Sequence, residues 1–189
     1  APSNVQYTQI NFVDMPNAVQ SEISLVNSVN LKLSDPDYFP VIVANQVLGG
    51  DFNSYLNMNL REKHGWTYGA RSSIGFDKNM YSQFRANTQV RNAVTDSAIT
   101  QSLYELNRIR TEKVSEEALN NVKAGYIGRF VMQVEKPSTV ARYALNIETE
   151  GLPADFYENY IKNINAGEFF KENSLPFHHW FRGFGTNIT

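Results

Sequence analysis

The chain has 189 residues, a length that suits one domain with a substantial core. Hydrophobic residues at 42% and aromatics at 13% fit a folded domain and exclude a disordered one. With 17 Lys and Arg against 19 Asp and Glu the net charge is -2, which removes the basic footprint of a nucleic-acid binder.

The chain opens Ala1-Pro2-Ser3-Asn4, neither an initiator methionine nor a signal peptide, and reads as a piece of a longer protein. Val5 to Val13 and Gln20 to Leu31 are predicted strands, the second from the alternation of Ile23, Leu25, Asn27, Val29 and Leu31, with a turn at Met15-Pro16-Asn17-Ala18 between them. Ser34-Asp35-Pro36-Asp37 predicts a helix start with Pro36 at the first helical position. The apolar run Phe39, Val41, Ile42, Val43, Val47 and Leu48 is wide enough for a buried helix, which Gly49-Gly50 ends. A second, more polar helix spans Asn53 to Lys63, carries Leu56 and Leu60 on one face and stops at Gly65.

Trp66 to Ile74 and Met80 to Val90 are predicted as strands of a hairpin joined by Gly75-Phe76-Asp77-Lys78-Asn79. The second of them sends Phe84, Ala86, Thr88 and Val90 one way and Tyr81, Gln83, Arg85 and Asn87 the other, so one face of the sheet is wet or lines a groove. From Thr95 the period turns helical, with a stripe of Ala98, Ile99, Leu103, Leu106 and Ile109. Ser115 is set to cap a further helix bearing Ala118, Leu119, Val122, Tyr126 and Phe130. Helices at Pro137 to Glu150 and Ala154 to Ile164 complete an α+β fold, an antiparallel sheet covered by helices on one face. The domain is assigned to residues 1–166, and 167–189 form an atypical aromatic-rich tail with no sustained period.

With no cysteine, disulfides, thiolate nucleophiles and cysteine-ligated zinc are excluded, a composition compatible with an oxidising compartment that does not decide between a bacterial periplasm and a cytoplasm. No run of about 18 apolar residues predicts a membrane span. The histidines are His64, His178 and His179, and no pair has the spacing that sets two ring nitrogens on one helix face, so no metal site is expected from this chain alone. There is no Gly-x-Ser-x-Gly elbow and no phosphate loop, and Gly49-Gly50 reads as a helix end rather than a phosphate nest. Asp51 and Glu62 read as solvated carboxylates.

Arg61 and Tyr68 remain. One lies near a helix end and the other in the strand expected beyond Gly65, so the two can converge across the turn. Arginine brings permanently charged donors and tyrosine a phenolic donor, a combination suited to a carbonyl oxygen gaining negative charge. The other reading pairs Arg61 with Glu62 and buries Tyr68 in the core.

The stretch LGGDFNSYLNMNLREKHGWTYGA, Leu48 to Ala70, resembles the signature of the C-terminal domains of the M16 (pitrilysin/insulinase) zinc metallopeptidases. NFVDMPNAVQSEISL is similar to the first hairpin of that family, SDPDYFPVIVANQVLGG to its first helix and GLPADFYENYIKNINA to its late helix. Where the family commonly has Ser-Arg-Leu this chain has Ser54-Tyr55-Leu56, and the tail after Ala166 resembles neither the alanine-rich helix nor the closing strand of the family. The resemblance implies the α+β fold of the LuxS/mitochondrial-processing-peptidase type and a two-part catalyst. A facing domain or subunit carries zinc on an inverted His-x-x-Glu-His motif, which does not occur in this chain, and this domain holds the peptide substrate through Arg61 and Tyr68. A non-catalytic structural subunit and a peptide-binding module of the same fold are the competing readings.

Overall fold

The computed structural model describes residues 8–166, and the predicted tail lies outside the described residues. Among the described residues the sheet has three antiparallel strands in the order β1–β3–β2. They are β1 (Gln20–Val29), β2 (Ala70–Ile74) and β3 (Ser82–Arg91). Gln20 pairs with Arg91 at one end of the β1–β3 ladder, and Ala70 pairs with Thr88 in the β2–β3 ladder. Phe84, Ala86, Thr88 and Val90 are buried with Ile23, whereas Arg85, Asn87 and Gln89 face outward, as the alternation predicts.

The strand predicted over Val5–Val13 does not form across its described part. Residues 8–15 have no regular structure, and Ile10, Phe12 and Val13 are exposed. Alternation gives a segment a face to bury but no partner edge, and a strand without a ladder is not stable. The turn that follows does form, closed by a hydrogen bond from the Ala18 amide to the Met15 carbonyl at 2.9 Å.

Helix α1 (Tyr38–Asn45) is buried along its whole length. It starts two residues beyond Pro36, because the Asp35 carboxylate accepts from the Lys32 amide at 2.8 Å and holds residues 32–35 in a turn. The chain then widens into a π-helical turn, Gln46–Gly50, that packs on β2. A Cβ on Gly49 would lie 2.4 Å from Ser72 Oγ and 2.5 Å from its amide nitrogen, so only glycine permits this approach. Helix α2 (Tyr55–Asn57) continues as a second π-helical segment, Met58–Lys63, so the helix predicted over Asn53–Lys63 starts at Tyr55, with Leu56 and Leu60 buried.

The second half is helical: α3 (Thr95–Thr111), α4 (Glu116–Val134), α5 (Pro137–Glu150) and α6 (Tyr160–Asn165). Ser115 Oγ accepts from the Ala118 amide at 3.2 Å, capping α4 as predicted. Pro137 opens α5, and Gly151, at φ +68°, closes it. Helix α6 is shorter than predicted, since residues 154–159 form turns in which Phe156 is buried beside Phe39. Helix α3 covers the inner face of β1 and β3. The outer helices are joined by stacked rings, Tyr143 on Tyr157 at 3.8 Å and Phe130 on Tyr160 at 4.5 Å. Tyr126 donates its hydroxyl hydrogen to the Ile42 carbonyl at 3.1 Å and ties α4 to α1.

Candidate functional site

The glycine at position 65 ends the second π-helical segment in a left-handed conformation, φ +62°. Three backbone bonds close the end: the His64 amide to the Asn59 carbonyl, the Gly65 amide to Arg61 at 2.9 Å and the Trp66 amide to Leu60 at 3.0 Å. The carbonyls left open at a helix end are thereby satisfied within one turn. His64 stacks on Trp66 at 4.1 Å and lines the turn, and among the described residues it joins no group of metal-ligating side chains.

Arg61 sits in the last turn before this end. Its guanidinium lies 4.6 Å above the Phe52 ring, and its Nη1 is 3.5 Å from the Glu62 carboxylate. The pairing with Glu62 is thus present, and the ring below limits where the guanidinium can swing.

Tyr68 is not inside a strand. The predicted strand Trp66–Ile74 begins only at Ala70, and Tyr68 occupies a bend, 92% exposed. The cause is its neighbour: Thr67 Oγ1 accepts from the Gly69 amide at 3.1 Å and donates to the Gly69 carbonyl at 3.0 Å. Thr88 Oγ1 on β3 adds bonds to Thr67 Oγ1 at 3.0 Å and to the Gly69 carbonyl at 3.2 Å. Local side-chain bonds here replace the ladder, and the ring of Tyr68 is turned to solvent. A core role for Tyr68 is excluded by that exposure. Among the described residues no hydrogen bond or ring contact links Arg61 with Tyr68.

Sequence reasoning missed the residues that hold this turn. Asn57, with no exposed surface, donates to the Phe52 carbonyl at 2.8 Å and accepts from the Ala70 amide at 3.2 Å. One carboxamide therefore joins the corner under Arg61 to the bend that carries Tyr68. A polar residue inside the apolar stripe of Leu56 and Leu60 was the available signal. Asn59 donates to Glu105 Oε1 at 2.6 Å, and Glu105 pairs with Arg108 at 3.3 Å, which fixes the Arg61 helix end against α3. Arg108 in turn lies 4.1 Å over the Tyr55 ring.

At the adjoining corner Gln46 donates to the Asp51 carboxylate at 3.0 Å and the Phe52 amide donates at 2.6 Å. The Gln46 bond foremost, then the Phe52 amide and the charges of Arg129 and Arg71, hold the Asp51 carboxyl below its usual range against the opposing effect of burial. Arg71 Nη1 donates to the Asp51 carbonyl at 2.7 Å.

Among the described residues no three His, Asp or Glu side chains are grouped to hold a metal ion. A cleft of about 280 Å³ between α1 and α6, lined by Leu33, Pro36, Phe39, Pro153 and Phe156 among others, shares no residue with the Arg61 turn. None of the described helices is long and apolar enough to cross a membrane.

No curated protein matches the sequence. Solved structures do match its fold. The peptidase M16 inactive domain from Pseudomonas fluorescens aligns with TM-score 0.71 and 22% identity over 78% of this chain and 35% of that chain. A conserved protein from Enterococcus faecalis aligns at 0.72 and 23% identity over 85% of this chain and 36% of the other. A protease from Helicobacter pylori aligns at 0.76 and 15% identity over 91% and 41%. The chain thus spans well under half the length of each of these three, and at such identities the likeness is one of fold. The family model described as the peptidase M16 inactive domain matches residues 2–126. By that match the chain belongs to the M16 peptidases' inactive-domain family.

Proposed function

We propose that this chain is the substrate-holding, non-zinc half of an M16-type zinc metallopeptidase, working opposite a zinc-bearing domain or subunit. Arg61 and Tyr68 contact the peptide: the phenol of Tyr68 donates to the scissile carbonyl, and the guanidinium of Arg61 stabilises the charge that develops there. The zinc and the glutamate that activates water belong to the facing domain, where the metal supplies the nucleophile.

The observation that supports this reading is the exposure of Tyr68, at 92%, on a bend stapled from three sides yet leaving its hydroxyl without a partner among the described residues. A large aromatic with a donor at its tip gains nothing for stability there, and it is available to a ligand. Arg61, seven residues before Tyr68 on the other side of the Gly65 turn, is held by Phe52 and Glu62. A substrate carbonyl entering between them would replace the weak, exposed pairing with Glu62.

The test is turnover of a fluorogenic peptide by the zinc-bearing partner or full-length parent, with wild-type chain and with Arg61→Ala, Arg61→Lys and Tyr68→Phe. Loss of a donor to the developing charge is expected to lower the rate about a hundredfold or more. Wild-type turnover by Arg61→Ala and Tyr68→Phe alike would refute the role.

A further inference from the structure

The open face of the sheet carries an imbalance of charge. Residues alternate along the strands, so Arg71 and Ser73 of β2, Arg85, Asn87, Gln89 and Arg91 of β3, and Glu22, Ser24 and Val26 of β1 share the face away from the helices. Arg71 pairs with Asn87 and Ser73 with Arg85, which makes Arg71 and Arg85 diagonal neighbours about 7 Å apart at the backbone. Glu22 is the one carboxylate among the strand residues of this face. It stands opposite Gln89, diagonal to Arg91 rather than to Arg71 or Arg85.

Neither arginine has an ion pair among the described residues. Arg71 spends one N–H on the Asp51 carbonyl at 2.7 Å, and Arg85 reaches Gln83 Oε1 at 3.5 Å. The Asp51 carboxylate accepts from Gln46 and from the Phe52 amide and feels the Arg71 charge without an ion pair to it. In a chain whose net charge is -2, two adjoining guanidiniums that make no ion pair among the described residues concentrate positive charge on this face. The bond from Arg71 to the Asp51 carbonyl also fixes the orientation of its guanidinium, leaving other N–H groups directed at solvent.

This patch joins the Arg61 turn. Asp51, which holds Arg71, precedes Phe52, which lies under Arg61, and Asn57 ties Phe52 to Ala70, the neighbour of Arg71. A peptide held at Arg61 and Tyr68 would therefore pass beside Arg71.

We infer that Arg71 and Arg85 form a carboxylate-binding patch that takes an acidic group of the bound peptide, giving the site a preference for peptides with a carboxylate next to the segment held at Arg61. The inference deepens the proposed peptide-holding role and rests on it. A guanidinium pair recognises a side-chain carboxylate and a C-terminal carboxylate by the same bidentate chemistry.

The experiment measures binding of labelled peptides to the whole chain, without any zinc partner, by fluorescence anisotropy at low and high salt. Three peptides of one sequence are compared: an internal glutamate with an amidated end, an internal glutamine with a free C-terminal carboxylate, and an internal glutamine with an amidated end. The patch predicts that at least one carboxylate peptide binds about fivefold or more tightly than the neutral one at low salt, and that Arg71→Gln/Arg85→Gln abolishes the advantage. Arg71→Lys/Arg85→Lys should keep part of it, and high salt should reduce it. Whichever carboxylate confers the advantage identifies its source. Equal affinity for all three peptides, or an advantage untouched by the glutamine variants, would overturn the patch. Arg61→Ala and Tyr68→Phe, assayed for turnover with the zinc-bearing partner, report on the parent reading separately.

Discussion

Arg61 holds its guanidinium 4.6 Å over the ring of Phe52, a residue half exposed on the corner that precedes α2. An exposed contact of this kind is worth about 0.5–1 kcal/mol, enough to bias a long side chain among its rotamers but not to hold a fold together. Phe52→Ala should therefore leave the urea midpoint nearly unchanged while lowering peptide turnover with the zinc-bearing partner by about three- to fivefold. Phe52→Trp, which keeps an aromatic face, should stay near wild type. Comparing turnover with the unfolding midpoint for the two variants checks this.

Asn57 presents the opposite case. It has no exposed surface, and both of its bonds go to backbone groups that the substitution would leave unpaired. Asn57→Ala is expected to cost about 2–4 kcal/mol in urea unfolding. Amide exchange should rise at Ala70, whose N–H bonds to the Asn57 side chain.

Two glycines separate close approach from backbone conformation. Gly49→Ala would drive a Cβ to 2.4 Å from Ser72 Oγ, a clash with β2 that should cost about 3 kcal/mol. Gly65 has open space around it but a φ of +62°, so Gly65→Ala should cost only the conformational term, about 1 kcal/mol. Urea unfolding of both variants tests the contrast, and equal losses would contradict it.

How much of this was legible in the sequence divides along physical lines. Ser115, Pro137 and Gly65 act through rules that involve only a few neighbouring residues, and each stands at the helix end predicted for it. The alternation along β3 also survives, because Phe84 to Val90 meet one continuous core. What failed depends on partners distant in the chain or on side chains competing with the backbone. Residues 8–13 alternate as a strand would but find no edge, and Thr67 with Thr88 hooks the chain out of the strand expected at Tyr68. Phe52 and Arg71 became recognisable only once the fold brought 52, 57 and 70 together, and the partners of Asn57, a polar residue within an apolar stripe, emerged with them.

The buried tyrosines set an alkaline limit. Burial pushes the Tyr126 phenol from 10.0 up to about 12, and burial raises Tyr38 and Tyr160 as well. These groups bind their protons more tightly when folded, so their contribution is complete below pH 10 and is lost as pH rises from there toward 12. Urea midpoints should fall through that window. Tyr126→Phe, which cannot ionise, should make the decline shallower, although it loses the bond to the Ile42 carbonyl.

The central claim turns on one oxygen atom, the hydroxyl of Tyr68. Tyr68→Phe removes it from a residue 92% exposed and should leave the melting temperature unchanged. The decisive measurement is kcat/KM for peptide cleavage by the zinc-bearing partner joined to wild-type or Tyr68→Phe chain. A fall of about a hundredfold, mostly in kcat, is the expected result for a donor to the transition state. A Tyr68→Phe chain that supports cleavage at the wild-type kcat/KM would contradict the account.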